Sequence, residues 1–143
     1  MTTDLGYVES CACHKVRMAA RAVTRAYDDA LRPARLRASQ LTVLVAINSN
    51  DGAISITALA KIMGMDRSTL TRNLRPLETE GLVTVGLEGW RRSRALEITN
   101  KGQSRLREAF PLWQRAQDSL RRKFGNRSWA EVHASLDRLV LAA

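Results

Sequence analysis

The stretch MDRSTLTRNLRPLETEGLV, from Met65 to Val83, combines hydroxyl and guanidinium groups with a regular leucine series. The side chains in it that could do chemistry are Ser68, Thr69, Thr71, Arg72 and Arg75. Arginine presents a planar fork of donors that fits guanine or phosphate, and hydroxyls can reach base edges or phosphate oxygens. These residue types therefore favour recognition of a polyanion by hydrogen bonds.

A second basic group follows this stretch and consists of Arg91, Arg92 and Arg94, next to Trp90. Two short alternating runs, VTVGL and RALEI, flank the group and predict a β-hairpin with the arginines at or beside its tip. There they could neutralise phosphates or enter a narrow minor groove. The alternatives are a solubilising turn for the arginines and packing against the protein for Trp90.

The segment SCACHK contains the candidates for redox sensing, Cys11 and Cys13. A helix amino terminus and the nearby Lys15 would favour a thiolate. The alternative is that one cysteine packs as a small hydrophobe and the other is an idle surface thiol. A metal would need a ligand beyond Cys11 and His14, such as His133 from a second copy, and no metal is assigned.

No arrangement typical of an enzyme is present in the sequence. There is no glycine-rich phosphate loop and no GxSxG motif, and the histidines are His14 and His133. Asp28 and Asp29 would point about 100° apart on a helix, so solvated carboxylates are favoured over an acid and base pair. We therefore expect no catalytic residues and no cofactor.

Length and charge agree with a single basic domain. The chain has 143 residues, and 23 Lys and Arg against 14 Asp and Glu give a net charge of +9. Such a charge indicates nucleic acid or an anionic membrane surface as partner. The longest apolar run, LTVLVAI, is far shorter than the roughly 20 residues that cross a bilayer, and the amino terminus lacks a signal pattern. We expect a cytoplasmic protein with reduced thiols and no membrane partner.

Two predicted helices joined by GMD position the first polar group. Thr57 is expected to cap a helix over residues 58–63, Gly64 to supply a positive backbone angle, and Asp66 to cap the next helix. The hairpin follows that second helix directly. This order of helix, turn, helix and hairpin is typical of a winged helix-turn-helix.

The second helix has an apolar side formed by Leu70, Leu74 and Leu77. At about 100° per residue, the polar residues named above then lie on or near the opposite side. Its amino terminus near Ser68 would also present free N–H groups to a phosphate. Pro76 removes one backbone donor and predicts a bend in the last part of this helix.

The chain outside this unit is predicted to form dimerisation helices, at about 8–31 and 99–143, around a DNA-binding core at about 38–98. The predicted fold is mainly α with a small β-hairpin wing, in a single domain over residues 1–143. A heptad in the long helix and an alanine-rich first helix each need a partner surface, which predicts a homodimer. Such a dimer would hold two recognition helices roughly 34 Å apart, one turn of DNA.

With these residues, the chain resembles the MarR (multiple antibiotic resistance regulator) family of winged-helix transcription factors. The resemblance is carried by LRPARLRASQLTVL, ITALAKIMGMDRSTLTRNLRPLETEGLV and RRSRALEITNKG. It implies an obligate homodimer that binds a pseudo-palindromic operator in double-stranded DNA, usually as a repressor released by a small-molecule inducer or by oxidation. The alternative is a helical ligand-binding or interaction protein whose winged unit contacts protein and not DNA.

The sequence departs from the family pattern at two positions, since Trp90 stands where Asp is common and Arg35 where many relatives have Gly. The organic-hydroperoxide-sensing branch of the family keeps a reactive cysteine early in its first helix, which resembles the placement of Cys11 and Cys13. Family ligands enter between the dimerisation helices and the winged unit. The resemblance thus implies a pocket near Met18, Trp113 and the helix predicted from Ala38 to Ser49.

Overall fold

The computed structural model describes residues 5–86 and 95–143. The helices are α1 Leu5–Ser10, α2 Ala12–Leu31, α3 Ala38–Asn48, α4 Ile56–Met63, α5 Arg67–Thr79, α6 Asn100–Phe124 and α7 Asn126–Ala142, with a 3-10 turn at Arg32–Ala34. The strands are β1 Ile54–Ser55, β2 Val83–Val85 and β3 Ala95–Ile98. This confirms a mainly α fold with a small β wing. Among the described helices, none has both the length and the apolar character needed to span a membrane.

The sheet has three antiparallel strands in the order β1-β3-β2. Val83 pairs with Ile98 and Val85 with Leu96, so the two predicted hairpin strands are paired. Ile54 of β1 lies opposite Leu96 on the other edge of β3, so β1 is the third strand of the sheet. The residues between the two hairpin strands, 87–94, lie outside the described part of the chain.

The apolar core lies mainly within the winged unit, and Leu31 of α2 and Ala109 of α6 join it from the terminal helices. Its fully buried large side chains are Leu31, Leu44, Ile47, Leu59, Leu70, Leu77, Leu82 and Leu96. By contrast, α7 buries none of its residues, and α6 buries only Gly102 and Ala109. The core at about 38–98 and the dimerisation role of the flanking helices remain a prediction that this distribution favours.

Two local predictions were wrong. Ser55, not Thr57, caps α4, because β1 runs directly into the helix and Ser55 Oγ accepts the N–H of Ala58 at 3.1 Å. The helix predicted over 8–31 begins at Leu5 and is interrupted at Cys11, whose φ of −71° and ψ of 116° are extended. Apolar periodicity does not detect such a break, since a single extended residue leaves the pattern on either side unchanged.

The start of α3 is held both from within α3 and from α2: Gln40 Oε1 of α3 accepts the N–H of Arg37 at 2.9 Å. Asp28 of α2 accepts the N–H of Ala38 at 2.7 Å, so a carboxylate ten residues upstream caps α3. Within the turn, Arg35 has a φ of 52°, the left-handed region that favours glycine. A glycine would suit this position for that reason. Here an arginine adopts the left-handed backbone angle instead.

The start of α6 fits tightly against the start of β2. Thr99 Oγ1 accepts the N–H of Gly102 at 3.0 Å, and the N–H of Thr99 is donated to the carbonyl of Leu82 at 3.0 Å. A Cβ on Gly102 would lie 2.1 Å from that carbonyl oxygen and 2.7 Å from Ile98 Cγ1. The first turn of α6 therefore has no room for a side chain at Gly102.

We expect Gly102→Ala to lower the free energy of unfolding by about 3 kcal/mol, because the new methyl group would overlap backbone. Alanine in place of a helical glycine would otherwise stabilise by about 1 kcal/mol, so the sign of the change is diagnostic. Chemical denaturation measures it, with the exposed Asn100→Ala in the same helix turn as control. An unchanged or raised stability of Gly102→Ala would contradict the packing described.

Candidate nucleic-acid interface

Helix α5 is oriented by its buried leucine side. Leu70 and Leu77 are 0% exposed and Leu74 is 2% exposed. Four of the five polar residues predicted on this helix, Ser68, Thr71, Arg72 and Arg75, are exposed, and Thr69 is half-buried. The structure therefore brings these five side chains together on the solvent side of a single helix.

The turn before α5 has the predicted backbone. Gly64 has a φ of 60°, and its N–H is donated to the carbonyl of Lys61 at 3.2 Å. The N–H of Met65 is donated to the carbonyl of Ala60 at 3.0 Å. This closed turn ends α4 and presents the first turn of α5 to solvent, since Ser68 is exposed.

Asp66 caps α5 and gathers the polar groups of its first turn. Its carboxylate accepts hydrogen bonds from the Ser68 hydroxyl, from the N–H of Thr69 at 2.7 Å and from the Thr69 hydroxyl at 2.8 Å. The Ser68 hydroxyl, followed by the Thr69 groups, holds the pKa of Asp66 well below its usual range. The Thr69 N–H is thus occupied by a carboxylate, so the helix amino terminus is less open to a phosphate than the sequence suggested.

The arginines of α5 differ in how they are held. Arg72 Nη2 donates a hydrogen bond to Thr69 Oγ1 at 3.3 Å. This long hydrogen bond links Arg72 to the Asp66 cap. Within the described part of the chain, no hydrogen bond or ion pair holds the exposed guanidinium of Arg75. Arg67, whose carbonyl accepts the Thr71 hydroxyl at 2.8 Å, also has an exposed side chain. Sequence reasoning missed Arg67, although its position directly after the capping aspartate was a signal for it.

The second basic group cannot be placed from the structure, because Trp90, Arg91, Arg92 and Arg94 lie outside the described residues. The strands on either side of them are antiparallel, and the N–H of Gly86 is donated to the carbonyl of Ala95 at 2.7 Å. The hairpin that would carry these arginines therefore has its two arms in register. The contacts of the arginines remain a prediction.

The two cysteines lie at the junction between α1 and α2. Cys11 is half-buried and is the residue before α2, while Cys13 is exposed in the first turn of that helix. Cys11 is not helical, so it does not share a helix face with His14, the residue named with it as a possible metal ligand. In the described ranges, no three His, Cys, Asp or Glu residues are grouped as metal ligands would be.

An apolar cleft of about 410 Å³ opens between α3 and α6. Its lining consists of Leu41, Val45, Asn48, Leu106, Arg107 and Phe110. The predicted pocket was near Met18, Trp113 and the helix expected at 38–49, which is α3. The half-buried Trp113 stacks on Phe110 with ring centroids 5.6 Å apart, so it borders the cleft wall, whereas Met18 is 47% exposed on α2 and is not part of the lining.

Comparison with known proteins places the geometry in context. A sequence model of the MarR family matches residues 36–92. The crystal structure of the M. tuberculosis transcriptional regulator MosR is similar over 93% of this chain and 95% of that chain, with 36% identity and a TM-score of 0.80. The same regulator in complex with DNA gives 36% identity and a TM-score of 0.84 over 93% and 96% of the two chains.

A more distant structure shows the shared fold alone. CouR from Rhodococcus jostii RHA1, bound to p-coumaroyl-CoA, is 20% identical with a TM-score of 0.75, over 92% of this chain and 93% of that chain. No curated protein matches the sequence. The likeness at 36% identity over nearly the whole length of both chains is therefore the comparison that carries an argument about relationship.

Proposed function

Because the chain belongs to the MarR family of transcriptional regulators, we propose that it is a dimeric, sequence-specific DNA-binding repressor that a small ligand or thiol oxidation releases. The observation that carries the proposal is the solvent side of α5, where hydroxyls and guanidiniums are fixed by a buried leucine side and a capping aspartate. The crystal structure of MosR in complex with DNA, at 36% identity, supports a DNA-binding role for this chain.

The dimer is supported by apolar side chains that one chain leaves uncovered. Those on the terminal helices are Leu5, Val8, Val16, Met18, Val23, Phe110, Phe124, Leu136, Leu139, Val140 and Leu141. Exposed apolar surface on this scale is typical of an interface and not of a monomer surface. A second copy that interleaves its terminal helices with these would cover them and pair two recognition helices for a pseudo-palindromic operator.

In this arrangement the two basic groups have different tasks. Arg72, aided by Arg75, would contact base edges in the major groove, where a guanidinium fork fits guanine O6 and N7. Arg91, Arg92 and Arg94 of the wing would contact phosphates or the minor groove, which contributes affinity without reading sequence. The alternative role, contact of the winged unit with another protein, predicts no such division.

We expect Arg72→Ala to reduce the preference for operator over random DNA by about 1–3 kcal/mol, because a base-edge contact is lost. Arg91→Ala should instead weaken binding to both DNAs alike and reduce the slope of log affinity against log salt by about one. Fluorescence anisotropy with an operator chosen from a random DNA pool measures both effects.

Arg122→Ala is the matched control, since this exposed arginine lies near the end of α6 and away from the recognition helix. Equal losses on operator and random DNA for Arg72→Ala would contradict base recognition by Arg72. Affinity of the wild type that does not depend on salt would favour the protein-binding alternative.

The cleft between α3 and α6 is the proposed inducer site. Its lining is mainly apolar, with Arg107 available for one negative charge, so a small aromatic acid fits its chemistry. A ligand there would lie between a helix of the winged unit and a dimerisation helix. Its binding would therefore change the separation of the two recognition helices in the dimer.

We expect a Val45→Phe substitution to fill the cleft, since Val45 is 43% exposed in its lining. The variant should bind operator like the wild type, but benzoate and cinnamate should no longer raise its Tm or release it from DNA. Thermal melting and anisotropy with these two probes measure the response, with Ile62→Phe, an exposed residue of α4 outside the cleft, as control. Identical responses of the wild type and Val45→Phe would contradict this site.

Thiol oxidation is a second route of release that the placement of the cysteines supports. Cys13 is exposed and Cys11 is half-buried at a helix junction within the apolar terminal region. Oxidation of either would place polar atoms in the proposed dimer region. The alternative, in which one cysteine packs and the other is an idle thiol, predicts no effect on DNA binding.

Peroxide should release wild-type protein from operator DNA, whereas Cys11→Ala or Cys13→Ala should remain bound, because the sensing thiol is gone. Gel shift after peroxide treatment, followed by addition of dithiothreitol, shows whether the release is reversible. The double substitution and untreated protein are the controls. Equal release of both single variants and the wild type would contradict thiol sensing.

The same family membership supports two further proposals, on catalysis and on localisation. The relatives are transcriptional regulators, and we propose that this chain likewise acts by binding and not by catalysis. Its proposed partner is genomic DNA, so we propose the cytoplasm as its place of action. This localisation rests on the proposed function and on no separate structural feature.

A further inference from the structure

We propose that Asp66 determines which bases the recognition helix can read, because it takes up the hydroxyl protons of Ser68 and Thr69. Both hydroxyl oxygens then face the DNA as hydrogen-bond acceptors and not as donors. The inference rests on the proposed function, since it takes α5 as the element that enters the major groove. It adds a residue that acts through its neighbours to the residues that touch bases.

The carboxylate forces the direction of these hydrogen bonds. An ionised carboxylate has no proton to give, so each hydroxyl that bonds to it must be the donor. Ser68 Oγ bonds to one oxygen of Asp66, and Thr69 Oγ1 bonds to the other at 2.8 Å. Since a hydroxyl has a single proton, neither group has one left for a base or a phosphate.

The next hydroxyl along the helix is committed in the same way. Thr71 Oγ1 donates to the carbonyl of Arg67 at 2.8 Å, four residues earlier in the helix. The donors that remain on this part of α5 are therefore the guanidiniums of Arg67, Arg72 and Arg75. On the DNA-facing side of α5, the arginines are thus the donors and the hydroxyl residues are the acceptors.

The two hydroxyl oxygens near Asp66 differ in what they can still accept. Thr69 Oγ1 already accepts Arg72 Nη2 at 3.3 Å, and Thr69 is half-buried. Ser68 is exposed, and its oxygen has lone pairs that no described residue occupies. Ser68 is consequently the principal acceptor. Thr69 connects the Asp66 cap to Arg72, because its hydroxyl donates to Asp66 and accepts Arg72 Nη2.

This division of donors and acceptors predicts which bases the helix can contact in the major groove. Adenine N6 and cytosine N4 carry the amino protons there, whereas guanine O6, guanine N7 and thymine O4 are acceptors. An acceptor-only Ser68 therefore matches adenine or cytosine, and Arg72 matches guanine. Asp66 excludes guanine and thymine at the Ser68 position without touching either base.

The first test compares sequences that wild type, Ser68→Ala and Asp66→Asn select from a random DNA pool. The wild type should prefer adenine or cytosine at one position of each half-site, in addition to a guanine. Ser68→Ala should lose the first preference by about three- to ten-fold, the worth of one hydrogen bond, and keep the guanine. Asn is as good a cap as Asp, so Asp66→Asn should keep the helix and admit guanine or thymine at that position.

A second test needs no DNA and measures the hydroxyl contact directly. The carboxyl carbon of Asp66 is titrated by NMR in wild type and in Ser68→Ala. The pKa of Asp66 should rise toward that of an ordinary aspartate in the variant, because the Ser68 hydroxyl is the largest cause of its lowering. Thr71→Ala, whose hydroxyl bonds to a backbone carbonyl, is the matched control and should leave the titration unchanged.

The outcomes separate this inference from the proposed function. Identical base preferences for Asp66→Asn and wild type, or an unchanged Asp66 titration in Ser68→Ala, would overturn the role of Asp66 while leaving a DNA-binding protein. A wild-type protein that selects no sequence at all would overturn the proposed function, and this inference with it. Loss of the adenine or cytosine preference in Ser68→Ala, together with its relaxation in Asp66→Asn, would support it.

Discussion

Burial of three leucines of α5 is the constraint on which the orientation of the solvent side of this helix depends. Each fully buried leucine contributes about 1.5–3 kcal/mol, and Leu70, Leu74 and Leu77 are all at or near zero exposure. The polar contacts on the opposite side are exposed hydrogen bonds that compete with water, so each contributes less than a buried leucine. The leucines therefore fix the rotation of the helix, and the polar network adjusts side chains on a helix already placed.

A second constraint joins this helix unit to the long helix α6. Gly102 leaves no space between the first turn of α6 and the carbonyl of Leu82, and Thr99 closes the same junction with hydrogen bonds. The start of α6 and the start of β2 must consequently move together. Farther along, α6 and α3 are separated by the apolar cleft at Val45 and Phe110. In the proposed inducer site, an occupant of the cleft would press between α3 and α6 while this junction holds the start of β2 to α6.

Sequence reasoning succeeded where the determinant is local. The cap at Asp66 and the left-handed turn at Gly64 each follow from a residue and its near neighbours, and both are present. The buried leucine side of α5 was predictable for the same reason. The five polar residues of α5 consequently lie where the pattern placed them, on or near the side opposite those leucines.

Failures occurred where distant parts of the chain decide. Ser55 replaces Thr57 as the cap of α4 because pairing of β1 with β3, forty residues away, brings the strand up to the helix. Asp28 caps α3 from another helix, which no spacing within α3 reveals. The break at Cys11 left the apolar pattern intact and so was invisible to it. Positions that depend on tertiary contacts cannot be read from periodicity.

The hydroxyls of α5 show a further limit of reasoning from residue types. A serine or threonine in the sequence counts as a donor and an acceptor, but the structure removes one of these roles when a carboxylate lies beside it. With a net charge of +9, the protein has ample attraction for DNA at every sequence. A negative charge at Asp66 opposes some of that attraction at the reading helix. It is tolerable there because its hydrogen bonds orient Ser68, Thr69 and Arg72, and orientation is what distinguishes one base from another.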